Sequence, residues 1–203
     1  MRIEVIDNFL FEEDFNYLKN IKLDKIEDDQ IKIYSNKIDK MGNILNTCLN
    51  YEIIKRLQKN YHFKSIEILE KLFPKKKDLY DYSEFFIVKT GKNYKSPIHD
   101  DIPEKLLSGV VYLSPKINTG TIFYENKKGD GKKIIEWKQN RAIFFARKEQ
   151  ETWHSYEGDG VSSRVALVYN LMTKRIKEVY KVENKNFFLS TLKRKLNLLI
   201  TKY

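Results

Sequence analysis

The sequence predicts an α+β protein that is mainly β, with an antiparallel sandwich or barrel flanked by helices. Residues 79–172 contain seven or eight short runs of β-branched and aromatic residues, spaced at roughly 8–12 residues and separated by turn segments such as PKINTG and EGDG. The segments before and after this region carry apolar residues at helical spacing. A chain of 203 residues is long enough for one domain with one core.

We therefore expect residues 1–203 to form a single domain in three parts. Residues 1–78 are the helical support, residues 79–172 are the β core, and residues 173–203 are a basic helical extension, which we expect to be an appendage to the core.

The N-terminal part begins with the segment IEVIDNFL, which predicts a short strand. The next segment, FEEDFNYLKNI, places Phe11, Phe15 and Leu18 at helical spacing after an acidic first turn. Residues 45–73 predict one broken helix or two short ones that end at Pro74. We expect the apolar faces of these helices to cover one sheet of the core.

The last predicted strand, SSRVALVYN and the residues after it, alternates between two faces. One face is bulky and apolar, suited to packing on helices, and it consists of Val165, Leu167, Tyr169 and Leu171. The other face consists of Arg164, Ala166, Val168 and Asn170, and its small residues leave a cavity beside the guanidinium. A buried guanidinium without an acid beside it requires an anion, and the carboxylate of a small acid matches its planar fork.

Composition and charge limit the function classes. The chain is 41% hydrophobic and 13% aromatic, as expected of a folded globular protein. Its single cysteine, Cys48, cannot form an internal disulfide, and we expect a reducing, cytoplasmic setting. The acidic N-terminal stretch does not resemble a signal peptide, and no run approaches the ~18 apolar residues of a membrane span.

The net charge of +10 is concentrated at the C-terminal end. From residue 174 to 203 there are nine Lys or Arg and two Glu, which gives 9 − 2 = +7. This excess indicates either an acidic partner, such as nucleic acid or a membrane surface, or a lysine-rich solvated helix face.

Two of the three histidines fall in segments that suggest a metal site. On a strand, His99 and Asp101 point to the same face, whereas Asp100 points away. Imidazole and carboxylate are metal ligands. If His154 comes from a neighbouring strand, the three groups cap one face of an octahedral ion, as in non-heme Fe(II) oxygenases. The alternative is that each histidine is merely structural.

The order of these residues resembles a known family. An H-x-D motif, a distal His and an Arg shortly after it are matched by His99, Asp101, His154 and Arg164. With the surrounding segments VVYLSP, TGTIFYE and RAIFFARKEQETWHS, the sequence resembles the prolyl-hydroxylase-like branch of the Fe(II)- and 2-oxoglutarate-dependent dioxygenases. The resemblance covers most of residues 1–172 and implies a double-stranded β-helix core of the jelly-roll or cupin type.

This resemblance implies a role for each residue of the motif. His99, Asp101 and His154 would hold Fe(II), 2-oxoglutarate would chelate the metal, and Arg164 would bind the distal carboxylate of this cosubstrate. O2 would take the remaining position. The expected reaction is hydroxylation of a C–H bond of a peptide, a protein side chain or a small molecule, with 2-oxoglutarate converted to succinate. Halogenating relatives lack the carboxylate that Asp101 supplies.

Departures from the family pattern refine these expectations. The nucleic-acid demethylase branch has a second Arg six residues after the first, where this chain has Asn170, which argues against a nucleic-acid substrate. Related enzymes often have a Ser where this chain has Ala166. A second polar contact to the cosubstrate is therefore expected from Ser162, Tyr94 or Tyr112.

Two other function classes stay open at this point. One is a cupin-like metalloenzyme of another reaction type, an isomerase or hydrolase, against which Arg164 and the lack of a His-x-His pair argue. The other is a non-catalytic binding module, against which the intact set of three metal-ligand residues argues.

Overall fold

The computed structural model describes the backbone of residues 2–200 and the side chains of residues 2–194. A 3₁₀ helix at Pro74–Leu79 separates a mixed N-terminal part from the strand-rich middle. In chain order the strands and helices are β1 (Ile3–Ile6), α1 (Glu12–Lys19), β2 (Ile31–Asp39), β3 (Ile44–Asn46), α2 (Tyr51–Leu72), β4 (Tyr82–Thr90), β5 (Lys95–His99), β6 (Lys105–Ser114), β7 (Thr121–Tyr124), β8 (Lys133–Ile135), β9 (Ala142–Ala146), β10 (Trp153–Glu157), β11 (Arg164–Met172), α3 (Ile176–Val182) and α4 (Phe187–Ile200).

The strands form two antiparallel sheets. The major sheet has the order β1-β9-β6-β11-β4-β2-β3, and the minor sheet has the order β5-β10-β7-β8. Residues 79–172 supply eight of these strands, β4 to β11, divided equally between the two sheets. The predicted antiparallel sandwich is therefore confirmed.

The helices pack on the outer face of the major sheet, where the bulky side of β11 meets them. Leu167 and Tyr169 are almost fully buried in one apolar cluster with Leu18 of α1 and with Leu57 and Leu69 of α2. Because each such side chain stabilises the fold by about 1.5–3 kcal/mol when it leaves water, this layer fixes β11 between the helices and the interior of the sandwich. The predicted division of β11 into two faces is confirmed.

Phe11 differs from its predicted role in this layer. Its side chain is 62% exposed because helix α1 begins only at Glu12, so that Phe11 occupies the N-cap position outside the helix. Its backbone N–H instead donates to the hydroxyl of Tyr61, 2.8 Å away. The prediction that Phe11 covers the sheet was wrong.

Residues 31–73 show two further differences from the sequence-based expectation. Helix α2 is one uninterrupted helix of 22 residues, started by the side chain of Asn50, which accepts from the N–H of Glu52. Before it, β2 and β3 extend the major sheet, with β2 paired along the whole of β4. Polar residues interrupt this segment, and its strand conformation depends on pairing with β4, which periodicity alone does not reveal.

The C-terminal extension is part of the folded body at least as far as Glu183. Val179 and Tyr180 of α3 are buried, and the carboxylate of Glu183 is enclosed by two cationic side chains. The expectation of a separate appendage was therefore wrong for residues 173–183, because α3 supplies apolar groups to the interior and its C-cap residue Glu183 supplies a charged one.

Across the part of the chain that the structure describes, no helix combines the length and apolar character needed to cross a membrane.

Candidate functional site

The two histidines of the predicted metal site lie side by side on neighbouring strands of the minor sheet. His99 ends β5 and His154 lies in β10, and the two are direct partners in the β5–β10 register. Their ring centroids are 4.3 Å apart. Asp101 follows two residues after His99, and one ligand atom from each of these three residues lies within 4.8 Å of the other two.

Both imidazoles are oriented in the same way by the backbone. Nδ1 of His99 is 2.9 Å from the carbonyl oxygen of Pro97, and Nδ1 of His154 is 2.9 Å from the carbonyl oxygen of Thr152. A carbonyl accepts only from a protonated nitrogen, so this contact places the proton on Nδ1 and leaves the lone pair on Nε2 for a metal. Burial lowers the pKa of His154 to about 4, which keeps this imidazole neutral at physiological pH.

Asp101 lies in the loop after β5, not on the strand as the sequence suggested. Its buried carboxylate accepts from the Lys105 ammonium at Oδ1 and from the Ser108 hydroxyl at Oδ2, each at 2.6 Å. Burial by itself would raise the pKa of Asp101, but the charge of Lys105 and the hydrogen bonds from Lys105 and Ser108 outweigh it and hold the pKa well below its usual range. The group is therefore a fixed carboxylate, with one lone pair left on each oxygen.

Asp100 points away from the histidines, as predicted, and it ties their two segments together. Its Oδ2 accepts from the backbone N–H of Gln150 at 2.7 Å, and its Oδ1 accepts from the hydroxyl of Thr152 at 2.5 Å. Thr152 precedes His154 by two residues and also provides the carbonyl that orients its ring. One carboxylate therefore fixes the spacing between the two histidine segments.

Arg147 donates a hydrogen bond to the backbone of Asp101. The guanidinium donates from Nε to the carbonyl oxygen of Asp101 at 3.1 Å, and from Nη1 to Oε2 of Glu183 at 2.7 Å. Glu183 also accepts from the ammonium of Lys76, 2.5 Å from Oε1, and all three charged side chains are buried. This buried network connects α3 to the candidate metal site.

Arg164 begins β11 and is 7% exposed. Its guanidinium carbon lies 3.8 Å from the ring centroid of Tyr156, with the rings of Tyr112 and Trp137 at 5.3 and 5.4 Å. Burial lowers the pKa of Arg164. Among the described residues, no carboxylate pairs with it, and Glu157, one of the acids that could have done so, instead pairs with Lys95.

Arg164 and the two histidines line the same cavity, which has a volume of about 150 Å³. This is smaller than the roughly 300–1,000 Å³ of pockets for drug-sized ligands, so the cavity suits a small acid. The inner face of β11 forms its floor, as predicted from Ala166 and Val168. The remaining lining residues are Ile31, Val88, Thr90, Tyr94, Ser96, Val110, Thr121, Ser155 and Tyr156.

The three residues predicted to offer a second polar contact differ in position. Tyr94 lines the cavity. The hydroxyl of Tyr112 is bonded to Thr121, donating to Oγ1 at 2.8 Å and accepting from the backbone N–H at 2.7 Å. Ser162 donates to Asp159 at 3.0 Å in a turn outside the cavity lining. The three roles stay predictions, and this geometry favours Tyr94.

Sequence reasoning missed Thr90. This residue ends β4 directly opposite Arg164 in the β4–β11 register, is 5% exposed and lines the cavity. Its buried hydroxyl oxygen has no hydrogen-bond partner within the described part of the chain. Such groups are rare in folded proteins, since burying an unpaired hydroxyl costs about 1–3 kcal/mol. No sequence signal identified it, because the pairing of β4 with β11 is a long-range contact.

Comparison with solved structures identifies the fold. A prolyl-4-hydroxylase from Pseudomonas putida is similar with a TM-score of 0.56 and 12% identity, over 85% of this chain and 92% of that chain. A prolyl hydroxylase from Trichoplax adhaerens was solved with a peptide fragment of the hypoxia inducible factor oxygen degradation domain. It is similar with a TM-score of 0.56 and 12% identity, over 86% of this chain and 85% of that chain. A bsmA homolog from Methylobium petroleophilum PM1 is similar with a TM-score of 0.54 and 13% identity, over 80% of this chain and 81% of that chain.

The protein therefore has the jelly-roll fold of the prolyl hydroxylases, as the sequence resemblance implied. No protein-family model and no curated protein matches the sequence.

Proposed function

We propose that this protein is an Fe(II)- and 2-oxoglutarate-dependent dioxygenase that hydroxylates a C–H bond. The observation that carries the proposal is the sharing of one cavity by the His99 and His154 pair and by Arg164, a buried cation without an acidic partner. Two candidate metal ligands and a carboxylate-binding group in one small cavity match a ligand that chelates a metal at one end and carries a carboxylate at the other.

The side chains fit Fe(II). Two imidazoles whose Nε2 atoms are left free by the backbone contacts at Nδ1, and one ionised carboxylate, form the two-histidine, one-carboxylate set that leaves positions open for small ligands. Bound iron would supply the activation of O2 for the reaction in which 2-oxoglutarate, O2 and a substrate R–H yield succinate, CO2 and R–OH. In this proposal His99, Asp101 and His154 hold the metal, and Asp100 and Arg147 keep the three ligand segments in place.

The guanidinium of Arg164 fits the distal carboxylate of 2-oxoglutarate. The planar guanidinium of Arg164 offers two parallel N–H donors, and the rings of Tyr112, Trp137 and Tyr156 restrict its orientation. The hydroxyl of Thr90 lies opposite Arg164 and would donate the second hydrogen bond, with Tyr94 as the next candidate. A bound dianion would thus give the buried hydroxyl of Thr90 a hydrogen-bond partner and the buried guanidinium of Arg164 a counter-charge.

The substrate we propose is a peptide, a protein side chain or a small molecule. One structural neighbour was solved with a peptide bound, which supports the first of these. The position of Asn170 on β11 leaves this chain without the second Arg of the demethylase branch, and we do not propose a nucleic-acid substrate.

Succinate formation tests the proposal. Purified protein with Fe(II), 2-oxoglutarate and O2 should convert 2-oxoglutarate to succinate, and peptides, amino acids or sugars that are substrates should accelerate this turnover. The matched control is Arg164→Ala, which keeps the metal ligands. Turnover of a substrate with zinc alone and without O2 would instead favour the hydrolase or isomerase alternative, and metal binding without any turnover would favour the binding module.

A further inference from the structure

Over residues 187–194, helix α4 contacts the body of the protein through two polar side chains, Ser190 and Arg194, and through the ring of Phe187, whose centroid lies 6.1 Å from that of Tyr180. The hydroxyl of Ser190 donates to Glu149 at 2.7 Å, and the guanidinium of Arg194 pairs with Glu104 at 3.3 Å. A surface helix of a globular protein usually turns its apolar stripe toward the core and its polar residues toward water.

Over residues 187–194, the opposite side of α4 is apolar and exposed. Phe188, Leu189 and Leu192 are 77%, 59% and 56% exposed. Leu192 is four residues after Phe188 and three after Leu189, so the three side chains are neighbours on one helix surface. Contiguous exposed apolar side chains often mark a site where a protein contacts a partner or a membrane.

Lysines lie beside this apolar surface at Phe188. Lys177, Lys181 and Lys185 line one surface depression together with Phe187, Phe188 and a single acid, Glu178. Within residues 2–194, none of these three lysines forms a salt bridge, and Lys193 on α4 is exposed as well. We call Lys177, Lys181, Lys185, Phe188, Leu189 and Leu192 the α3–α4 patch.

We propose that the α3–α4 patch docks on an anionic lipid surface. A helix with apolar side chains on one side and lysines beside them lies in a membrane interface, where the apolar groups enter the acyl boundary and the ammonium groups meet anionic headgroups. The patch combines these two features on adjacent helices. The proposal concerns where the protein acts and does not depend on the reaction it catalyses.

Two other occupants fit the patch less well. A second copy of the chain docked by the same surface would bring the lysines of both copies together, because a two-fold interface uses the same patch on each side. Single-stranded nucleic acid is bound by lysines and aromatic stacking platforms, and exposed leucines contribute neither of these. The two leucines therefore favour a lipid surface.

Co-sedimentation of the full-length protein with vesicles tests the proposal. We expect binding to vesicles of phosphatidylcholine and phosphatidylglycerol in roughly equal amounts, weak binding to phosphatidylcholine alone, and a loss of affinity as salt is raised. Lys177→Gln with Lys181→Gln should weaken binding about fivefold for each lysine removed. Leu189→Asp with Leu192→Asp should abolish binding.

Matched control variants change an exposed apolar residue and a pair of lysines outside the α3–α4 patch. Ile117 is 80% exposed on a loop, and Ile117→Asp should bind as the wild type does. Lys127→Gln with Lys128→Gln removes the same charge from the β7–β8 turn and should also bind normally. The proposal is overturned if the wild type ignores anionic vesicles, if both lysine pairs weaken binding equally, or if the leucine variant still binds. It is also overturned if the leucine change abolishes self-association or RNA binding and leaves vesicle binding intact.

Discussion

The guanidinium of Arg147 joins Glu183, the C-cap residue of α3, to the main chain of Asp101, at 2.7 Å from the Glu183 carboxylate and 3.1 Å from the Asp101 carbonyl oxygen. A residue of the C-terminal extension therefore supports a candidate iron ligand through one intermediate side chain. Partners behind metal ligands typically change metal affinity about 10–100-fold when they are removed, since they fix the ligand's orientation.

We predict that Arg147→Lys weakens Fe(II) binding by about tenfold or more. Lysine keeps a positive charge beside Glu183. Its ammonium group lacks the planar set of N–H donors with which Arg147 bonds the Asp101 carbonyl and Glu183 at the same time. Isothermal titration with Fe(II) under anaerobic conditions measures the affinity, and the visible spectrum of the Co(II)-substituted protein reports the ligand geometry. If Arg147→Lys lowers only the melting temperature, with unchanged metal affinity and an unchanged Co(II) spectrum, Arg147 is structural and does not position Asp101.

A substitution of Glu183 tests the other end of the buried network formed by Lys76, Arg147 and Glu183. Glu183→Gln should weaken metal binding and also destabilise the fold by about 3–5 kcal/mol, because it leaves the buried cations Lys76 and Arg147 without a counter-charge. Glu178→Gln changes an exposed acid within α3 itself and should alter neither quantity. Equal effects of the two substitutions would contradict the network.

The three proposed iron ligands should each be required for metal binding. His99→Ala, Asp101→Ala and His154→Ala should each weaken Fe(II) binding by more than about a hundredfold, since losing a direct ligand exceeds the effect of losing a supporting group. The third histidine of the chain provides the control, and His62→Ala should bind Fe(II) with wild-type affinity. Circular dichroism should show a folded β protein in each case. A variant that lost one ligand and still bound Fe(II) normally would remove that residue from the site.

Thr90→Val should weaken 2-oxoglutarate binding without destabilising the protein. Valine has nearly the same shape, so the substitution removes only the hydroxyl, and a hydrogen bond to a charged group is worth about 1.5–3 kcal/mol, or roughly 10–150-fold in affinity. Stability should stay constant or rise, because the unliganded protein loses an unpaired buried group. Thr90→Ser keeps the hydroxyl and should retain most of the affinity. Equal affinities of wild type and Thr90→Val would show that the second contact comes from another residue, with Tyr94 tested next.

The packing of helices on the major sheet predicts a contrast between two apolar residues. Leu167→Ala should destabilise the protein by about 2–5 kcal/mol, because Leu167 is 1% exposed beneath the helices and its truncation leaves a cavity. Ile33→Ala on β2 removes a side chain that is 54% exposed and should cost less than about 1 kcal/mol. Urea denaturation measures both values. Similar losses for the two variants would contradict the proposed core.

Local pattern was sufficient to predict much of this architecture. The β core and its antiparallel type follow from short β-branched runs and turn residues, and the two faces of β11 follow from strict alternation in the sequence. The H-x-D segment and His154 were identified because histidine is scarce in this chain and because the order of the residues resembles a family. The cytoplasmic setting expected from the single cysteine stays a prediction.

The parts that were missed depend on long-range contacts. Strand β2 is defined by its pairing with β4, and Thr90 acquires its importance only because β4 places it opposite Arg164. The structural role of the extension was likewise hidden, because the partners of Glu183 are distant in sequence. Such contacts leave no local periodicity in the sequence.

The measurement that tests the central claim most directly is the binding of 2-oxoglutarate to the anaerobic Fe(II) protein, compared between wild type, Arg164→Ala and Arg164→Lys. We expect the wild type to bind 2-oxoglutarate, Arg164→Ala to bind it at least about tenfold more weakly with Fe(II) affinity unchanged, and lysine to restore part of the loss. Equal 2-oxoglutarate affinities for wild type and Arg164→Ala would contradict the assignment of Arg164 to the cosubstrate, and a failure of the wild type to bind 2-oxoglutarate would contradict the proposed function.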